Sequence, residues 1–289
     1  MTGAASAATR SIDLSVEIDA PCNAVWEAIS DGDRLASWFA PFATVEPGEG
    51  GTVTVAWEEG GEWSSRIAVW QPDRHLRLVD ELPEDADATG VEMALDYRLE
   101  ARDGATVLHL VNSGLSASEE SDEFYRMMTN GWRVFLWHLK HAVERHPGVS
   151  RTMISARPWV SGSREDVWER LFCEQGLGEA PDGPPSASRE VAAACQGMDS
   201  PRRTEDPFRF VLDGGKVLEG TVVLCDRPWS FAGRVASLQD GVLHIEMEGS
   251  GDRWKLGVWL SAYGVEGMRC EEIGKALETT VQRLFPEHR

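Results

Sequence analysis

The sequence predicts an α+β protein of two domains in tandem, each a curved antiparallel sheet wrapped around a long C-terminal helix. Alternating apolar and polar segments follow one another with turn signals between them, a long amphipathic segment closes the run, and this order recurs in the second half. We place the domains at residues 11–147 and 151–289. A chain of 289 residues suits two domains of ordinary size.

The first half opens with Ser11–Ile18, whose alternation is typical of a half-buried strand. Pro21 begins a short helix, and Trp38 and Phe39 belong to a second short helix that ends near Pro41. Further strands are predicted at Thr52–Trp57, Trp63–Trp70, His75–Leu82, Val91–Ala101 and Thr106–Asn112. Charged residues of Val91–Ala101 alternate with apolar ones and are expected to point outward.

A long helix is predicted after these strands. Ser116 and Glu119 have the spacing of a capping box, and Pro147 stops the helix just after His146. Its apolar stripe must be buried against the sheet. The stripe contains Phe124, Met128, Gly131, Phe135, Leu139 and Ala142.

The second half repeats this plan. The segment from Val160 to Leu171 has the apolar spacing of Ile18 to Ile29, so the same strand-to-helix corner is expected. The match continues at Asp73–Leu78 and Asp226–Phe231, and then in strands Val242–Glu248 and Trp254–Ala262 and helix Val265–Phe285. The Gly-, Pro- and Ser-rich segment 175–207, with a short helical pattern at Val191–Cys195, is either a lid over a cavity or a solvated excursion.

The composition excludes several classes of partner. A formal charge of -20 disfavours nucleic acid and anionic membranes, and no apolar stretch is long enough to span a bilayer. Met1–Arg10 lacks the apolar core of a signal peptide. The 5 Cys are scattered without a C-x-x-C pair, which favours reduced thiols and a cytoplasmic protein.

Several motifs carry a family resemblance, which covers residues 11–147. They are Pro21 with Val25–Ile29, the pair Trp38-Phe39, Pro72–Leu76, Ser113–Leu115 and Gly131-Trp132. As a set they resemble the activator-of-heat-shock-ATPase-homologue-like branch of the START, or Bet v-like (SRPBCC), superfamily. The resemblance implies a helix-grip fold in both halves, the second more weakly, with a hydrophobic-ligand cavity between sheet and helix. Its members include ligand carriers, polyketide cyclases and aromatases, co-chaperones and self-resistance proteins, and the chain looks like those of actinobacterial polyketide and enediyne gene clusters.

The candidate ligand-binding residues are large apolar side chains on the elements that form the grip, with two polar groups among them. The chain has 12 Trp against 3 Tyr, and Trp lines apolar pockets well. The candidates are Trp38, Phe39, Trp57, Trp63, Trp70, Tyr97, Asn112, Met128, Trp132, Phe135, Trp229 and Trp259. Some of them are expected to be core residues only.

No catalytic or metal-binding pattern is found. Many relatives carry His just before the Ser-Gly pair, where this chain has Asn112, and His109 should alternate to the outer face. His138 and His141 are three residues apart on the predicted helix, but no third metal ligand follows, so a solvated face is expected. We predict no cofactor and no metal.

The predicted function is binding of a sizeable hydrophobic small molecule, such as a polyene- or polyketide-like intermediate or product, in natural-product biosynthesis or self-resistance. One alternative is a polyketide cyclase or aromatase, in which Tyr97 and Asn112 assist proton transfer. Another is a co-chaperone-like interaction protein. The sequence leaves open whether the protein is an enzyme, which ligand it takes and how it oligomerises.

Overall fold

The computed structural model describes residues 8–57, 61–80, 92–172, 176–177, 207–249, 253–265 and 267–286. The chain divides into two compact units, Met1–Ser150 and Arg151–Arg289. Each unit has an antiparallel sheet and a long C-terminal helix, so the predicted α+β class and helix-grip plan are confirmed. The segment 175–207, apart from residues 176, 177 and 207, lies outside the described residues.

The first unit has one sheet of order β1-β7-β6-β5-β4-β3-β2, antiparallel throughout. Its short strand β2 was not predicted. The strands are β1 (Thr9–Ile18), β2 (Phe42–Val45), β3 (Thr52–Trp57), β4 (Gly61–Gln71), β5 (His75–Asp80), β6 (Ala94–Arg102) and β7 (Ala105–Ser116). The helices are α1 (Cys22–Ser30), α2 (Gly32–Leu35) and α3 (Asp122–Arg145).

Strand register determines which side chains face α3. Leu76 of β5 is paired with Tyr97 of β6, and both belong to the core on the concave face. Arg77 is paired with Asp96 on the opposite face, and the guanidinium donates to the carboxylate at 2.6 Å. Asp96 therefore points outward as expected, although Arg77 and His75 leave it only 3% exposed.

The start of α3 differs from the prediction. Ser116 is still part of β7 and lies opposite Thr9, so it cannot serve as a helix cap. A short 3-10 turn, Glu119–Ser121, separates the strand from α3. The predicted capping box is therefore wrong, because pairing with β1 extends β7 past the point where the local sequence suggests a helix.

The second unit has a sheet of order β10-β11-β12-β13-β14-β8, with the short β9 also paired with β14. The strands are β8 (Arg151–Ala156), β9 (Trp159–Ser161), β10 (Pro207–Leu212), β11 (Lys216–Asp226), β12 (Ser230–Val235), β13 (Gly241–Glu248) and β14 (Arg253–Tyr263). The helices are α4 (Arg164–Leu171) and, last in the chain, α5 (Gly267–Leu284).

The two units repeat one plan with small shifts. The corner before α4 is closed by a capping box between Ser163 and Asp166. The hairpins β4–β5 and β11–β12 are equivalent in the two units. Gln71 lies opposite His75 in the first hairpin, and Asp226 lies opposite Ser230 in the second. Gln71, and not Asp73 as the sequence suggests, therefore corresponds to Asp226. A displacement of two residues leaves each side chain on the same face of its strand.

The cysteines do not all behave as predicted. Cys22 and Cys270 are free thiols, whereas Cys225 is disulfide-bonded. The prediction of reduced thiols is therefore wrong for Cys225. Sequence spacing cannot show which sulfur atoms the fold brings within bonding distance.

Candidate functional site

Phe39 lies at the centre of an aromatic cluster on the concave face of the first sheet. Its backbone N–H donates to Leu35 at 2.9 Å, which continues the turn of α2 and directs the ring toward α3. The ring stacks on Trp132 at 5.7 Å with an interplanar angle of 12°. It meets Phe135 edge-on at 4.7 Å and Trp57 edge-on at 5.4 Å. We call Phe39, Trp57, Trp132 and Phe135 the aromatic cluster.

The side chains of the described residues do not fully close the concave face. Several residues that pack against its core remain only partly buried. They include Phe39, Trp57, Trp70, Met93, Leu95, Leu99, Met128 and Phe135. Protein cores are close-packed and leave such side chains almost no exposed surface, so water reaches part of this face.

Burial along α3 changes from one end to the other. In the C-terminal half, Leu136 and Leu139 are 4% and 0% exposed. In the N-terminal half, Tyr125 and Met128 are half-buried and Phe124 is 47% exposed. The incompletely covered part of the concave face therefore lies toward the N-terminal half of α3.

The two polar candidates have different roles. Asn112 is buried, its Oδ1 accepts from Trp132 Nε1 at 3.2 Å, and its Nδ2 donates to the carbonyl of Ala94 at 3.2 Å. That amide is committed to holding the Trp132 ring in place. Tyr97 lies edge-on to Trp132 at 6.4 Å, and its hydroxyl has no hydrogen-bond partner within the described residues. Burial raises the pKa of Tyr97 far above its ordinary value, so the phenol can donate a hydrogen bond but is not a base.

Sequence reasoning missed one polar residue on this face. Asp80 ends β5 and is half-buried on the same side as Leu76 and Leu78. Its Oδ1 accepts from Ser65 Oγ at 2.9 Å and from Trp63 Nε1 at 3.1 Å. Its position two and four residues after core leucines was the signal that could have found it.

The other candidates of the first unit have distinct positions. Trp38 is 0% exposed, and its Nε1 donates to the carbonyl of Ala28 at 2.8 Å, so it is a core residue. Trp70 is half-buried and meets Trp26 edge-on at 5.1 Å. Trp63 is 49% exposed and lies at the margin of the face. Ligand contact by any of these candidates stays a prediction.

Among the described residues of the second unit, the apolar side chains of the interior are buried. Phe208, Phe210 and Phe231 lie on its concave face and are 2%, 0% and 0% exposed. The Phe208 ring lies so close to Gly233 that a Cβ at that position would clash with it. Among the described residues, Ile154 and Val265 are the hydrophobic side chains that pack on this core while only partly buried.

Trp229 and Trp259 do not belong to that interior. The rings of Trp229 and Trp254 enclose the Arg164 guanidinium, with its carbon 3.8 and 3.6 Å from the two centroids. Trp259 lies on the outer face of β14, because its neighbour Val258 faces the core, and it stacks on His244 at 5.1 Å. Here the structure does not bring the predicted residues together.

Buried ionisable groups surround Trp259 on that outer face. Burial lowers the pKa of His244 to about 3. It raises the pKa of Glu246 to about 8, an effect that Glu248 adds to and Arg157 opposes. At neutral pH the imidazole is therefore uncharged, and Glu246 retains most of its proton.

The histidine pair of α3 does not lie on a solvated face, so that prediction is wrong. His138 and His141 are 3% and 5% exposed. His138 Nδ1 lies 3.3 Å from the carbonyl oxygen of Trp38, and His141 stacks on Trp137 at 4.8 Å. No group of three side chains that could hold a metal is found among the described residues.

No helix in the described ranges has the length and apolar character needed to cross a bilayer.

Comparison with known proteins gives one family and several structures. Residues 19–144 match the family described as Activator of Hsp90 ATPase homolog 1-like protein. The di-domain ARO/CYC BexL from the BE-7585A biosynthetic pathway is 14% identical over 97% of this chain and 99% of that chain, with a TM-score of 0.43. DynU16, described as a putative protein in the dynemicin biosynthetic locus, is 16% identical over 95% and 96%, with a TM-score of 0.40. CalU16 from Micromonospora echinospora is 26% identical over 47% and 76%, with a TM-score of 0.37. No curated protein sequence matches the chain.

Proposed function

We propose that the first unit, whose residues 19–144 match the family described as Activator of Hsp90 ATPase homolog 1-like protein, binds a sizeable hydrophobic small molecule between its sheet and α3. The observation that carries the proposal is the partial exposure of Phe39, Trp57 and Phe135, three members of the aromatic cluster on the concave face. Apolar side chains that face inward and still meet water gain free energy when a ligand covers them. Covering about 200 Å² of apolar surface contributes roughly 5 kcal/mol before the costs of association.

The proposed ligand is flat and conjugated. Phe39 stacks on the buried Trp132, and the exposed parts of Phe39, Trp57 and Phe135 form the aromatic surface that a ligand would cover. Planar conjugated molecules stack on such surfaces, and the half-buried Met128 can adapt to an irregular outline. A polyene or polyketide intermediate or product fits this description, with a role in natural-product biosynthesis or self-resistance.

We assign the second unit a structural role rather than a second ligand site. Its concave face is occupied by Phe208, Phe210 and Phe231, which leave almost no exposed apolar surface for a ligand to cover. A guest in that interior would have to displace well-packed rings, which costs several kcal/mol. A partly exposed concave face in the first unit and a covered one in the second support one ligand per chain.

Calorimetric titration tests the proposal with a conjugated polyene, a tricyclic quinone and a saturated fatty acid of comparable length. We expect micromolar binding of the conjugated molecules at a stoichiometry of one and weaker binding of the fatty acid. Met128→Trp, which adds bulk to the incompletely covered region, should abolish binding while thermal unfolding shows that the variant is folded. Failure of all three molecules to bind wild-type protein would overturn the proposal.

A cyclase or aromatase is the second candidate, and the Tyr97 hydroxyl favours it. Tyr97 belongs to the core on the concave side, and its hydroxyl has no hydrogen-bond partner in the described ranges, so it would donate to a ligand carbonyl that reaches it. A phenol that donates to a carbonyl favours its enol and thus ring closure. The test compares cyclised products of a poly-β-ketone synthase with wild type and Tyr97→Phe, and an unchanged product distribution removes this candidate.

A further inference from the structure

We propose that Asp80 forms the polar end of the ligand site and selects ligands that carry a basic amine on their apolar body. The proposal rests on the proposed function, because it specifies the chemistry of one end of the same site. Asp80 has one oxygen engaged in hydrogen bonds, no basic partner within the described residues, and a half-exposed indole beside it.

The Asp80 carboxylate is held in place through one of its two oxygens by described residues. Ser65 lies directly opposite Asp80 in the strand register and is 6% exposed, so its hydroxyl is a fixed donor. The Ser65 hydroxyl and the Trp63 indole N–H both donate to Oδ1. Within the described residues, Oδ2 accepts no hydrogen bond.

No basic side chain in the described part of the chain forms an ion pair with Asp80. For this half-buried carboxylate, the two hydrogen bonds to Oδ1 compensate only part of the lost hydration. A ligand cation at Oδ2 would supply the missing charge. The formal charge of -20 for the whole chain also favours cationic over anionic ligands.

The surroundings of the carboxylate suit an alkylammonium group better than a hydroxyl. Trp63 is 49% exposed, so its indole ring is available to a cation while its N–H is fixed on Asp80. A carboxylate beside an aromatic face binds ammonium through an ion pair and a cation–π contact. A neutral hydroxyl gains only the hydrogen bond.

The carboxylate is continuous with the aromatic cluster. Val55 lies opposite Trp63 and Trp57 lies opposite Gly61, so Trp57 is the diagonal neighbour of Trp63. Trp57 in turn contacts Phe39. One ligand can therefore place its apolar body on the aromatic cluster and its amine at Asp80.

The test uses three anthracene probes with the same ring system: the methylamine, the methanol and the carboxylate. Calorimetry at neutral pH should show that wild-type protein binds the amine about tenfold more tightly than the alcohol, and the carboxylate most weakly. Asp80→Asn keeps an oxygen for Ser65 and Trp63 but loses the charge. It should bind amine and alcohol equally, with alcohol affinity within about twofold of wild type.

Matched variants separate the local effect from net charge. Asp73→Asn makes the same charge change in the exposed turn before β5, where its positive φ of 61° tolerates Asn, and should retain the preference for the amine. Asp80→Glu should retain most of the preference for the amine over the alcohol. Equal binding of amine and alcohol by wild type, or an unchanged preference in Asp80→Asn, would overturn the role of Asp80. If none of the probes binds, the proposed function itself fails, whereas alcohol binding without amine preference removes only this inference.

Discussion

Phe39→Ala is the substitution that most directly perturbs the aromatic cluster. Replacing a fully buried Phe with Ala costs about 3–5 kcal/mol, and Phe39 is half-buried, so we expect the first unit to lose about 2 kcal/mol. Most of this loss comes from the contacts with Trp132, Phe135 and Trp57. A ligand would lose roughly 40 Å² of apolar contact, which weakens binding about fivefold.

The assay is urea unfolding followed by Trp fluorescence, fitted with two transitions because the two units need not unfold together. Phe42→Ala is the matched control. Phe42 is 56% exposed and faces away from the core, because its neighbour Ala43 is the residue paired with core Val55. We expect that control to change stability by less than about 0.5 kcal/mol and to leave binding unchanged. Equal effects of the two substitutions would refute the reasoning.

Three further predictions concern stability. Asn112→Ala leaves the indole N–H of Trp132 without its acceptor, so urea unfolding of the first unit should show a loss of about 1–3 kcal/mol. Arg164→Lys replaces a planar guanidinium between two indole rings with a group that cannot stack on both, so thermal unfolding of the second unit should show about 1–2 kcal/mol of destabilisation; an unchanged Tm would contradict this. Burial raises the pKa of Glu246 from 4.5 to about 8, so its contribution to stability is full below 4.5 and lost as pH rises toward 8. Glu246→Gln should therefore flatten the fall in Tm of the second unit over that range, and a slope identical to wild type would count against the assignment.

The fold could be predicted well because its signals are local. Alternation and turn residues identify most strands, and the equal spacing around Trp26 and Trp168 identifies the repeated corner. The sequence predictions were wrong where contacts with residues distant in the chain determine the structure. Ser116 has a helix-cap pattern, yet β1 holds it in a strand. The burial of His138 likewise depends on tertiary packing and not on the pattern of the helix.

The site could be predicted only in part. The motif that contains Phe39 and the helix that carries Trp132 pointed to the same face, and the structure brings them together. Asp80 was overlooked although it follows core Leu78 by two residues. Trp259 lies on the outer face, one residue from core Val258, and its contact with a ligand stays a prediction. The filling of the second interior depends on how ring volumes fit together, which a single sequence does not specify.

Xenon binding to crystals under pressure tests most directly whether one interior is open and the other closed, because xenon enters apolar hollows without needing a specific ligand. The account predicts an anomalous peak beside Phe39 and Trp57 and none among Phe210 and Phe231. A peak in the second interior, or an absence of xenon beside the aromatic cluster, would contradict it.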